Sequence, residues 1–213
     1  MTPLPKIFLG ISFAWAVAAL AVQARAARRS ITEPNAPAAG KASRGILYGF
    51  TGAMVPSRKE SATRHPVSFA AGILLHLGVA ASFLTVSLAA VTRPDALPFG
   101  RLALAPAAAF GLVAGLFLLV KRLATADLRE LSRLDDFAAN LALAVFLAAT
   151  LAFWSGALPA DALGILAALL LLYLPLGKLR HVVFFFLARA DLSGRLGYRG
   201  VYPPRGGGHA GRA

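Results

Sequence analysis

The sequence predicts an all-α integral membrane protein of five transmembrane helices, and three observations carry that prediction. Of its 213 residues 58% are hydrophobic and only 15% charged, with a mean hydropathy of +0.68, which is more apolar surface than one soluble core of this length buries. The apolar residues fall in runs of about 20, the length a helix needs to cross about 30 Å of hydrocarbon. Lipid offers no partner to a backbone N–H or C=O, so each crossing segment must satisfy its own as a helix. Finally, the basic residues gather in alternate connections between those runs.

The first run covers residues 7–24. Its end, "AVQARA", has the A-x-A pattern of a secretory cleavage site, but only Lys6 precedes the run while Arg25, Arg28 and Arg29 follow it. A signal peptide has the opposite charge order, so the run is read as a retained helix. The connection 26–66 is rich in Ala, Arg, Pro and Ser and holds a small apolar island, "GILYGFTGAMV" at 45–55, expected on the membrane surface or against a partner. Runs at 67–91, 102–120, 137–156 and 162–187 follow as the remaining helices, divided by the short loops "TRPDALPFG" and "SGALPAD" and by a basic connection from Lys121 to Arg133. The tail, 192–213, carries Gly, Pro and Arg and is expected to lack fixed structure at its end.

Charge sets the expected orientation. Eight of the 22 Lys and Arg lie in or beside the 26–66 connection, four between Lys121 and Arg133, and seven from Lys178 onward, leaving Lys6, Arg93 and Arg101 on the other side. The positive-inside rule then places the N-terminus outside and the C-terminus in the cytoplasm. Nearly all polar mass falls on that inner side, where a soluble partner would dock. The net charge of +13 reads as topology plus attraction to anionic membrane lipids; no recognisable nucleic-acid module accompanies it, and no nucleic acid partner is expected. The outer-rim residues Arg93, Asp95, Arg101 and Asp161 read as anchors.

Cysteine is absent, which excludes disulfides, cysteine-ligated iron–sulfur clusters and covalently attached c-type haem. A redox cofactor would have to be held by histidine or methionine. His209 lies in the Gly-rich tail and reads as solvated. His65, before Pro66, sits at the mouth of the second helix. His76 stands inside "SFAAGILLHLGVAASF", about 15 Å from the start of that helix at 1.5 Å per residue, and an ionisable residue there is by default a functional hypothesis. His181 lies in "LPLGKLRHVVFFFLAR", eight residues before Arg189. With five spans alternating in direction, the two histidines reach similar depths from the same face. One imidazole from each of two facing helices is the arrangement that a b-type haem requires. Gly72 and Gly78 would leave room for the macrocycle, Lys178 would neutralise a propionate, and Phe184, Phe185 and Phe186 would wall the ring. The same features also fit snorkelling cations and histidines bonded to helix carbonyls.

Residues 67–199 resemble the cytochrome b (gamma) subunit of respiratory nitrate reductases and the related membrane subunits of dissimilatory sulfite reductase and heterodisulfide reductase complexes. "LLHLG" at 74–78 is similar to the second-helix haem motif of that family. "LLVKRL" at 118–123 with "LDDFAANLAL" is similar to its connection from the third helix to the fourth, and "LPLGKLRHVVFF" at 174–185 to its fifth-helix motif. The resemblance implies five helices with an outside N-terminus in the inner (cytoplasmic) membrane. It implies His76 and His181 as the axial ligands of a haem b between the second and fifth helices, so that 67–191 is a haem-binding core flanked by the helix 1–25, the connection 26–66 and the tail. It also implies menaquinone or ubiquinone as exchangeable substrate and a cytoplasmic iron–sulfur protein as partner. His65 becomes a candidate for proton transfer. A second haem in that family would need ligands at Val86 and near Leu163, neither a histidine, so one haem is expected. Two other classes stand beside this one: a cofactor-free membrane anchor or assembly subunit, and a transporter. The transporter is the weaker, because no run carries a buried carboxylate and none forms a pair of broken helices in corresponding halves.

Overall fold

The computed structural model describes residues 1–29, 40–92 and 98–198, and among these every regular element is helical. The long helices are α1 (Pro3–Arg29), α4 (Pro66–Val91), α5 (Pro98–Ala124) and α7 (Leu134–Trp154). Each is long and apolar enough to cross a membrane, the mark of a multi-pass membrane protein. The shorter ones are α2 (Ala42–Phe50), α3 (Glu60–Arg64), α6 (Ala126–Glu130), α8 (Ala160–Tyr173) and α9 (His181–Tyr198).

The fifth apolar run departs from expectation. Instead of one helix over 162–187, α8 stops at Tyr173 and α9 starts at His181, so the two count as a span only if a broken pair is one span. Pro175 is the cause: its ring fills the place of an N–H and crowds the preceding turn. Leu176 and Gly177 donate instead to the Tyr173 carbonyl, at 2.9 and 3.1 Å. The Gly177 Cα lies against the Tyr173 ring, where a Cβ would collide with it. A single 3₁₀ turn, Lys178–Arg180, leads into α9.

The chain divides into two compact units, Met1–Leu20 with Pro66–Arg180, and Ala21–His65 with His181–Ala213. In the first, α4, α5, α7 and α8 run alternately up and down. Lys121 near the end of α5 donates to Ser68 at the start of α4 (2.5 Å), and Tyr173 at the end of α8 donates to Asp135 at the start of α7. The N-terminal part of α1 runs parallel to α8. Thr2 gives its backbone N–H and its hydroxyl to the two oxygens of Asp161 (both 2.7 Å), and Trp15 Nε1 donates to the Leu172 carbonyl at 3.3 Å.

Two features bind this bundle. Gly78 of α4 and Gly111 of α5 meet backbone to backbone, so that a Cβ on Gly78 would lie 2.7 Å from the Gly111 Cα; Leu147 of α7 closes over both. Small residues of this kind let helices approach where lipid supplies no hydrophobic drive between them. Beyond that crossing lies an apolar core around Val86, Phe146, Phe153, Trp154, Leu163 and Ala167. Within it Ser82, Thr85 and Thr150 donate to carbonyls one turn back, and Trp154 Nε1 donates to Thr85 Oγ1 at 3.2 Å.

The second unit is built on α2 and α9. Gly45 and Gly49 of α2 press on Ser193 and Gly197 of α9, again where no Cβ fits. Arg189 Nε donates to the Gly49 carbonyl (2.7 Å), answering an acceptor at the end of α2, and the Phe50 and Phe186 rings stack with centroids 6.1 Å apart. The apolar island at 45–55 thus falls on the amphipathic helix α2 and the 3₁₀ turn Gly52–Met54, with a second turn, Pro56–Arg58, after it.

Candidate functional site

Two places in the first unit gather chemistry. His76 lies ten residues into α4, one turn from Gly72, and its ring is exposed on the unit's surface. Nδ1 sits 2.6 Å from the Gly72 carbonyl. A carbonyl only accepts, so Nδ1 is the donor in this bond. Holding the other ring nitrogen on a backbone carbonyl is how protein structures orient a histidine that ligates a metal. Nothing lies within 4 Å of where a Cβ on Gly72 would be, so the flank of α4 below the ring is open. Gly78 is different: the room expected beside it is taken by α5, and its part is helix packing.

The second place is the end of the bundle where α5 and α8 finish and α7 begins. Asp136 is buried there, its side chain 4% exposed, in the first turn of α7. Lys178 pairs with its Oδ1, and Arg122 Nη1 approaches the same oxygen at 3.9 Å. Oδ2 accepts the Arg133 N–H at 2.9 Å, closing the helix start as an N3 carboxylate does. Asp135 beside it accepts the Tyr173 hydroxyl, and one turn on, the buried Asn140 Oδ1 has no hydrogen-bond partner. Lys178, expected to face a propionate, is therefore engaged by Asp136.

This cluster also corrects the expectation that no run holds a buried carboxylate. The fourth helix starts at Leu134, not 137, and takes Asp136 in with it. The signal was present in "LDDFAAN": acidic residues suit a helix's positive end, and Asp136 and Asn140 are four apart on one face. What the sequence withheld was the partner, 42 positions on at Lys178.

In the second unit, His65 is exposed between α3 and α4, and His181 is exposed as the first residue of α9. His181 thus opens a helix, where mid-helix placement was expected. Phe185 and Phe186 are also exposed, with their rings edge to face at 5.3 Å between centroids. Arg93, Asp95 and His209 lie outside the described residues. Among the described residues no three His, Asp or Glu gather to hold a metal ion; a bis-histidine haem needs only two donors. The donor chemistry of His76 suits an axial ligand, and Lys178 pairs with Asp136 while its side chain stays 60% exposed. Val86 and Leu163, where a second haem would need its ligands, are 2% and 0% exposed in one apolar cluster, their surroundings filled by side chains.

No family model, no curated protein and no solved structure matches this chain.

Proposed function

We propose that the protein is the b-type cytochrome subunit of a respiratory complex in the inner (cytoplasmic) membrane, moving electrons between the quinone pool and a cytoplasmic iron–sulfur partner. The observation that carries this reading is His76: an imidazole about 15 Å into an apolar helix, its Nδ1 held by the Gly72 carbonyl. His76 and His181 are the axial ligands in this reading, and the positive-inside distribution of Lys and Arg puts the partner's docking face on the C-terminal side. Haem, when bound, supplies one-electron exchange; the chain orients its ligands and keeps water from it. Menaquinol or ubiquinol gives up two electrons and two protons, the electrons passing to the partner's clusters. His65 accepts a quinol proton at the inner mouth of α4. Replacing His65 with Gln should slow quinol oxidation with haem content unchanged; an unchanged rate removes it from the route.

The test is the dithionite-reduced minus oxidised spectrum of the purified protein, with haem counted per chain, for the wild type and for His76→Ala and His181→Ala. A b-type spectrum near one haem per chain, lost in both variants, is expected. Retention of haem in both variants, or no haem in the wild type, overturns the reading. One observation favours the second reading, a cofactor-free membrane anchor: Lys178 is committed to Asp136, which suits a structural latch better than the edge of a porphyrin.

A further inference from the structure

Beside its contact with α2, α9 carries an open apolar stripe. Phe185, Ala188, Leu192 and Leu196 follow one another at spacings of three and four residues, which puts them on one stripe. Together with Arg189 and Ser193 they line a shallow groove of about 260 Å³. Leu192 is 60% exposed and Phe185 40%. Arg189 is fixed at the groove by its bond to the Gly49 carbonyl, so its charge is held in place. The described residues of this unit carry ten Lys and Arg against two carboxylates, Glu60 and Asp191.

The geometry points to a binding site for an anionic phospholipid on α9, with an acyl chain along Phe185, Leu192 and Leu196 and the headgroup phosphate on Arg189. Three arguments select that occupant. A groove lined by one helix and open along its length fits a chain better than a compact solute. Four helices of the chain are long and apolar enough to cross a membrane, and beside such a membrane the ambient apolar molecule is an acyl chain. The excess of cations supplies charge complementarity, and each basic residue near an anionic surface contributes about 1 kcal/mol. A guanidinium also meets phosphate oxygens through two parallel N–H bonds. The site does not rest on haem ligation.

The chain has no cysteine, so Leu192→Cys can carry a nitroxide label with no background to remove. The full-length protein is reconstituted in nanodiscs of phosphatidylcholine alone or of an equal mixture with phosphatidylglycerol, and collisions with oxygen and with a water-soluble nickel chelate report the label's surroundings. In the mixture the label should be oxygen-accessible and shielded from nickel, and less so in phosphatidylcholine alone. Ala188→Glu, which places a carboxylate in the groove without touching α2, should return the label to water. Mass spectrometry after detergent extraction should find roughly fivefold less phosphatidylglycerol retained by Arg189→Gln than by the wild type, with Arg189→Lys between them. A label that reads aqueous in both discs, that is equally deep in both, or that neither relaxant reaches because a protein covers it, overturns the proposal. Haem absorbance recorded on the same samples keeps this outcome separate from that of the cytochrome reading.

Discussion

The two units use the same device in opposite settings. In the bundle, Gly78 and Gly111 bring α4 and α5 together under Leu147; in the second unit, Gly45 and Gly49 bring α2 onto Ser193 and Gly197. Around the first contact Ser82, Thr85 and Thr150 are bonded to their own helices and Trp154 to Thr85. Around the second, charges stay: Arg189 caps α2 and Arg195 pairs with Asp191 one turn away at 2.9 Å. Close backbone approach is therefore compatible with either treatment of the neighbouring polar groups. Hydrocarbon charges several kcal/mol for an unsatisfied group and water or headgroups do not.

The largest effect that would break this comparison is expected at the bundle's glycine contact. Gly78→Leu should destabilise the protein by about 3 kcal/mol or prevent its folding, read as a fall in midpoint on unfolding with sodium dodecyl sulfate from mild detergent. Gly72→Ala, facing open space, should leave that midpoint unchanged. If both variants behave alike, the packing of α4 on α5 is not as described.

Asp136→Ala comes next. It leaves Lys178 and Arg122 without their buried partner, at a cost of about 2 kcal/mol, held below the figure for a fully buried pair because Lys178 is 60% exposed. Unfolding of the purified variant measures it, and Lys178→Met added to Asp136→Ala should restore part of the loss. A smaller effect concerns the bonded polar groups of the bundle: Trp154→Phe removes the donor to Thr85 and should cost about 1 kcal/mol. The same change in a Thr85→Val background should cost clearly less if the bond is real. Smallest is Asp191→Asn, which weakens an i, i+4 pair on α9 and should shift stability by about 0.4 kcal/mol, less at high salt.

Local composition made much of this molecule legible. The second apolar run, read as 67–91, is helix Pro66–Val91, because an uninterrupted apolar run has only one way to satisfy its backbone in lipid. The fifth run, expected as one helix over 162–187, is broken at Pro175 and Gly177; in a membrane a proline alone does not end a helix, and here Tyr173 and Gly177 complete the break. His76 was visible as a polar residue in an apolar run, and its bond to Gly72 is local, four residues back.

What the sequence by itself determined is therefore the set of apolar helices and the polar residues stranded in them, since both follow from interactions within a few residues. Tertiary structure alone decided that Gly78 faces Gly111, that Asp136 is buried against Lys178, and that Val86 and Leu163 share one core. Those pairs are set by the register in which helices cross. That register depends on the shapes of whole helix faces, which no single stretch of sequence contains.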